Sequence, residues 1–311
     1  MPHRPTAPTA PTAPTAPTAP TAEFPVSGRD AGPYGITCGP DSALWFTMVH
    51  HGQIGRITPD GGVTSYQLET ASSGPSLITT GPDDALWFTE FRSHRIGRIT
   101  TTGNISSFPL PTPDAGPFGI AMGPDAALWF TEAGADRIGR ITPDGHVTEF
   151  PLPLSGAFPS AIATGPDDRL WFTMNQANAI GAIGLDGDVT VHPLSTPASA
   201  PVGITAGADG ALWFVEIGAG QIGRITPDGK IDEFALPDRA SRPHAIAADA
   251  DGNCWFTEWA ANRIGRITPD GRIDEHDLPS PASEPHGLTL GPDSAIWTAL
   301  EIGTIARLTP R

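Results

Sequence analysis

The 311 residues include 34 Asp and Glu against 18 Lys and Arg, a formal net charge of −16 at pH 7. That excess argues against nucleic acid or an anionic membrane as partner and would suit a cation or a cationic substrate. No stretch is long and apolar enough for a membrane-spanning helix, and the two cysteines, Cys38 and Cys254, fall in distant segments, so a reduced, cytoplasmic protein is expected.

In chain order, residues 5–22 are six consecutive Pro-Thr-Ala triplets. Proline on a three-residue spacing removes backbone donors and favours extended conformers, so residues 1–22 are read as a disordered tail. The tail has no continuous apolar run of the kind a signal peptide carries. The folded domain is expected over residues 23–311.

From there a tryptophan returns every 42 residues, at Trp45, Trp87, Trp129, Trp171, Trp213, Trp255 and Trp297, and only Trp259 falls outside this register. Each copy reads roughly Pro-x-Gly-Ile, Gly-Pro-Asp-x-Ala-Leu-Trp-Phe-Thr-Glu, Ile-Gly-Arg-Ile-Thr-Pro-Asp-Gly and Val-Thr-Glu-Phe-Pro. The Pro-Asp steps are turn signals, and the runs between them alternate as strands do. Four strands in a repeat of this length describe a β-propeller blade, and seven repeats describe an all-β, seven-bladed ring. The last repeat ends at Arg307-Leu308-Thr309 without a fourth strand, while Glu23-Phe24-Pro25-Val26 supplies one at the other end of the chain. An N-terminal strand closing the last blade removes an open edge; an open solenoid would instead show polar capping repeats. A closed ring is expected to be a monomer.

Departures from the repeat locate a candidate site. The residue before Gly-Ile should ring the mouth of the central channel, and it varies freely: Tyr34, Ser76, Phe118, Ser160, Val202, His244 and His286. Two positions earlier, only Arg242 and Glu284 are charged. Three positions after each Trp the chain has Met48, Glu90, Glu132, Met174, Glu216, Glu258 and Leu300, with the last acid displaced by one to Glu301. The repeated glutamates are read as hydrogen-bonding from blade to blade, and the arginine of Ile-Gly-Arg-Ile as structural. Blades six and seven thus bring His244, His286, Glu284 and Glu301 to one sector. Two carboxylates suit a hard cation such as Mg²⁺, and an imidazole can act as general base. Either histidine could equally be a channel-lining residue bonded to a backbone carbonyl.

At these residues the chain resembles the virginiamycin B lyase, or streptogramin B lyase, family. The shared stretches include Gly32-Pro33-Tyr34-Gly35-Ile36, Leu212-Trp213-Phe214-Val215-Glu216, Arg242-Pro243-His244-Ala245-Ile246 and Glu284-Pro285-His286-Gly287. The resemblance implies a lyase that linearises type B streptogramins, cyclic depsipeptide antibiotics, at their ester bond by elimination. It implies that His286 is the base that removes the threonyl α-proton, and that Glu284 and Glu301 hold Mg²⁺. The products would be a dehydrobutyrine and a free phenylglycine carboxylate. His244 matches a histidine that contacts the substrate and helps protonate or stabilise the leaving carboxylate, Tyr34 matches a rim aromatic, and Phe118 and Val202 would be apolar patches. The altered Trp297-Thr298-Ala299 is expected to change packing and leave the chemistry alone. The competing readings are a metal-dependent lactonase or esterase, a lyase-like propeller acting on another cyclic peptide or cell-wall component, and a binding module without catalysis.

Overall fold

The two turn signals in each repeat divide it into four antiparallel strands. The computed structural model describes residues 21–310, and among these every regular element is a strand. Blade one comprises β2 (Pro33–Cys38), β3 (Leu44–Met48), β4 (Gln53–Ile57) and β5 (Val63–Gln67). The pattern repeats from β6 (Pro75–Thr80) to β25 (Ile273–Asp277), and blade seven holds β26 (Pro285–Leu290), β27 (Ile296–Leu300), β28 (Thr304–Leu308) and β1 (Thr21–Pro25). The chain therefore forms seven four-stranded sheets, the last in the order β1-β28-β27-β26.

β1 takes in Thr21 and Ala22, so the ring begins two residues before the boundary suggested by the triplets. The reason is the ladder offered by β28, which pairs Thr21 with Leu308 and Ala22 with Arg307 and outweighs local composition. The rest of the tail assignment lies outside the described residues. Phe24 stacks on Trp297 at 5.6 Å between ring centroids, as Tyr66 does on Trp45 and Phe150 on Trp129. The Glu23 carboxylate accepts hydrogen bonds from the backbone N–H and hydroxyl of Ser280, as Glu149 does from Thr112. The closing strand makes the contacts of any other outer strand.

The core lies between blades. One cluster joins Trp45, Ile54 and Leu68 of blade one to Ile78, Leu86 and Phe88 of blade two, and another joins Trp297 and Ile305 to Ile36 and Phe46 across the closure. All seven repeat tryptophans are essentially buried, each contributing gross apolar stabilisation of about 5 kcal/mol. A Cβ on Gly55 would fall 2.1 Å from the Phe46 ring, so the glycine of Ile-Gly-Arg-Ile lies where the phenyl crosses it. Blade seven exchanges both partners: Thr298 replaces the Phe, Ala306 replaces the Gly, and the two face each other in the ladder.

Neighbouring blades are tied by threonine. Thr47 accepts a hydrogen bond from the Gly35 N–H and donates to the Ser76 carbonyl of the next blade. Thr89, Thr131, Thr173 and Thr257 repeat both bonds. The repeated glutamates, expected to bond between blades, instead turn into their own blade. Ser107 donates to Glu90 and Gln221 to Glu216 within single sheets. Strand alternation is the cause: Thr and Glu are adjacent on one strand, so only one of them can face the next blade.

In blades three, five and six the buried glutamate meets a second acid on the outer strand: Glu132 with Glu149, Glu216 with Glu233, and Glu258 with Glu275. Burial, then the Glu149 charge, pushes Glu132 up to about 8, and burial puts Glu216 and Glu258 at about 7. A carboxyl whose value rises on folding takes up a proton. Its stabilising contribution is complete below the unfolded value near 4.5 and is lost as pH climbs through about 8. Glu132→Gln should therefore flatten the fall in urea midpoint on the alkaline side and be the more stable protein at pH 9. Parallel midpoint-versus-pH curves for the two proteins would refute this.

Candidate functional site

Every inner strand shifts register between its first proline and the residue three positions on, isoleucine in six blades and Leu288 in the seventh, as between Pro33 and Ile36. This irregularity accompanies the turn of the intervening side chain into the channel. In consequence Tyr34, His244, His286 and Phe118 meet at the mouth, although separate blades carry them. The Tyr34 ring lies 4.5 Å from His286, 5.7 Å from His244 and 6.2 Å from Phe118, and the two imidazoles are 5.0 Å apart. The Tyr34 hydroxyl is 3.2 Å from His244 Nε2. Burial, then the charge of His286, holds His244 down at about 3, so this imidazole is neutral and shares a hydrogen bond with the tyrosine hydroxyl. Burial and Glu301 hold the Tyr34 phenol protonated.

The displaced acid has a simple physical origin. Residues three positions after each Trp point into the blade, where Leu300 is fully buried. One step further along, alternation directs the side chain to the mouth, and Glu301 stands there. Its Oε2 lies 2.6 Å from His286 Nε2 and its Oε1 2.8 Å from His50 Nε2. A carboxylate only accepts, so both nitrogens carry the hydrogen. The His286 bond foremost, with the His50 bond added and burial opposing, brings Glu301 down to about 2.

The Glu301 N–H donates to the Glu284 carbonyl at 3.3 Å, which sets the two glutamates side by side. Glu284 has φ 50, in the left-handed region, at a position where blades one to three use Gly32, Gly74 and Gly116. Phe158, Ala200 and Arg242 share this conformation in the other blades, at a cost of about 1 kcal/mol for each non-glycine residue. Glu284 and Glu301 are oxygen donors that could hold Mg²⁺. Among the described residues no group of three or more His, Cys, Asp or Glu side chains is arranged to hold a metal ion by itself. Two carboxylates with water or substrate completing the shell are what Mg²⁺ accepts, so the donor set fits.

All five residues singled out by sequence lie at the mouth, and Val202, half-buried at the same repeat position as Tyr34, also packs against the core between blades five and six. An apolar cleft of about 270 Å³ adjoins Tyr34, lined by Val49, Phe91, Arg92, Phe118 and Phe158. Trp259, the tryptophan outside the register, has the Arg242 guanidinium 5.8 Å from its ring centroid. Sequence reasoning missed His50. The signal was available: five residues after each Trp stand His50, Arg92, Gly134, Gln176, Gly218, Ala260 and Ile302, as variable a set as the one that revealed Tyr34.

Thr298–Ala299 does more than repack the blade. Thr298 donates to the Gly287 carbonyl beside His286, and Ala299 stands where other blades have the tethering threonine. Val215 makes the same replacement in blade five. The carbonyls left without a threonine are those of Tyr34 and His244, the two residues bonded to each other.

The sequence model described as the Virginiamycin B lyase family matches residues 19–308. A virginiamycin B lyase of Saccharopolyspora erythraea is 61% identical over 41 residues, 13% of this chain and 14% of that protein; this alignment spans about one repeat. The selenomethionine-substituted crystal structure of virginiamycin B lyase from Staphylococcus aureus superposes with a TM-score of 0.90 at 46% identity, covering 94% of this chain and 99% of the other. A catalytically inactive histidine-to-alanine variant of the Staphylococcus aureus enzyme with quinupristin gives a TM-score of 0.90 at 45% identity, again over 94% and 99%.

Threonine is nearly isosteric with valine, so Val215→Thr should restore bonds to the Gly203 N–H and the His244 carbonyl. One net hydrogen bond contributes about 1 kcal/mol, which raises Tm by roughly 2 °C in a chain of this size. Calorimetry showing a lowered Tm would mean that the hydroxyl is buried there without partners.

Proposed function

The chain belongs to the virginiamycin B lyase family, and from that premise we propose that it inactivates type B streptogramins by opening the macrocycle at its ester bond through elimination. The observation that carries this reading is the His286–Glu301 pair beside Glu284, at a mouth that continues into an aromatic cleft. His286 removes the α-proton of the threonyl residue. The electron pair forms the new Cα–Cβ double bond as the Cβ–O bond breaks, leaving a dehydrobutyrine and a phenylglycine carboxylate. Glu301, 2.6 Å from the imidazole, fixes the ring plane and stabilises the imidazolium formed on proton uptake.

His244 acts as a neutral group. Its neutral ring still carries one N–H, so contact with the substrate and a hydrogen bond that stabilises the leaving carboxylate both fall to it. Tyr34 holds it in place through the hydroxyl bond and presents its own ring to the cleft. Phe91, Phe118 and Phe158 supply an apolar surface for the aromatic groups of a depsipeptide and help to exclude water. Glu284 and Glu301 would hold Mg²⁺, whose charge would stabilise negative charge developing on substrate oxygen.

Incubation with a type B streptogramin and Mg²⁺ should give a ring-opened product of unchanged mass with a new conjugated chromophore. A gain of one water would identify a hydrolytic lactonase instead, and an inert mixture at high enzyme concentration would remove the proposed substrate. His286→Ala should lower kcat by about 10²- to 10⁴-fold with unchanged Tm. Glu284→Gln should raise the Mg²⁺ concentration needed for half-maximal rate, and an unshifted metal titration would exclude it as a ligand.

A further inference from the structure

We infer that His50 is a positioning residue for this site: it holds the Glu301 carboxylate in the one orientation that serves both His286 and a bound divalent cation. The inference rests on the function proposed above. Glu301 is gripped at both oxygens, by His286 at 2.6 Å and by His50 at 2.8 Å. A glutamate has three rotatable side-chain bonds, and one hydrogen bond leaves the carboxylate free to pivot about its contact. The second, from the opposite side, fixes its plane.

The local backbone is arranged to deliver this imidazole. His50 follows β3, where its N–H donates to the Ala31 carbonyl and the Val49 N–H donates to the Gly32 carbonyl. Gly32 has φ +62, and a Cβ there would fall 2.5 Å from His50 Cδ2 and 2.9 Å from Nε2. The ring lies over the space that the glycine leaves open. The neighbouring His51 turns elsewhere, to Asp30 at 3.4 Å.

An exposed ion pair contributes little to stability, and the His50 side chain is 44% exposed. A latch between blades one and seven is also a poor account of it. Gly134 and Gly218 occupy the same repeat position without any side chain, and those blades pack as well as the rest. The closure is already made by β1 and by the Trp297–Phe46 cluster. What distinguishes His50 from the residues at the equivalent positions is its hydrogen bond to the Glu301 carboxylate.

The test uses the full chain with His50→Ala and His50→Gln, the amide of the latter being able to donate from nearly the same place. Mn²⁺ affinity by titration calorimetry without substrate, kcat and KM on a type B streptogramin, and Tm are measured on each. His50→Ala is expected to weaken Mn²⁺ binding about tenfold and to lower kcat more than it changes KM, with Tm within about 2 °C of the parent. His50→Gln should recover part of both losses. Parental Mn²⁺ affinity and kcat in His50→Ala overturn the inference, and a fall confined to Tm assigns the contact to blade closure and overturns it too. A parent chain that neither binds Mn²⁺ nor opens the macrocycle would overturn the proposed function itself, a result distinct from an active parent indifferent to His50.

Discussion

In five blades the aspartate of the first turn accepts a hydrogen bond from the indole N–H of its own tryptophan and a charge-assisted bond from the arginine of the third strand. Asp125, with Trp129 at 3.0 Å and Arg140 at 2.6 Å, is representative. The guanidinium of that arginine lies close to the indole face in blades one, two, five and seven. One carboxylate thereby fixes the turn, the orientation of the largest core side chain and the register of the third strand. Blade four lacks the arginine, having Ala182, and there Arg169 reaches the Ala182 carbonyl instead. Blade six keeps the indole bond through Asp249 while Arg266 turns to Asp274.

This constraint lies away from the mouth, and that separation lets the mouth vary. Packing between blades is settled by Trp, Phe and Ile residues whose positions hardly change, so the residue before Gly-Ile can be Tyr, Ser, Phe, Val or His without disturbing the ring. Threonine tethers then set how firmly each mouth residue is held. The carbonyls of Tyr34 and His244 receive no threonine from the preceding blade, and the two side chains are joined to each other at 3.2 Å. His286 keeps its tether through Thr257 and is braced by Glu301 as well.

Most of the fold was legible because its signals are local. Turn residues, strand alternation and the returning tryptophan each act over a few residues, and seven copies made the blade count secure. The closing strand could be found because one copy lacked its fourth strand and the other end of the chain supplied it. The errors lay where a local signal competed with a neighbour. The triplet pattern ends at Ala22, yet the exposed edge of β28 draws Thr21 and Ala22 into the sheet. Glu132, Glu216 and Glu258 turn into their own blades because the adjacent threonine already faces the next one.

By itself the sequence determined the seven-bladed ring, its closure by residues near Phe24, and the positions from which side chains reach the channel, with Tyr34, His244, Glu284, His286 and Glu301 among them. These follow from period and alternation, which are properties of the chain alone. Only the tertiary structure decided which mouth residues touch. Tyr34 meets His244 across 210 residues, and His50 meets Glu301 across 251. Wrapping equal blades about one axis turns such separations into contacts, and whether two side chains then meet depends on the space their neighbours leave, as Gly32 leaves it for His50.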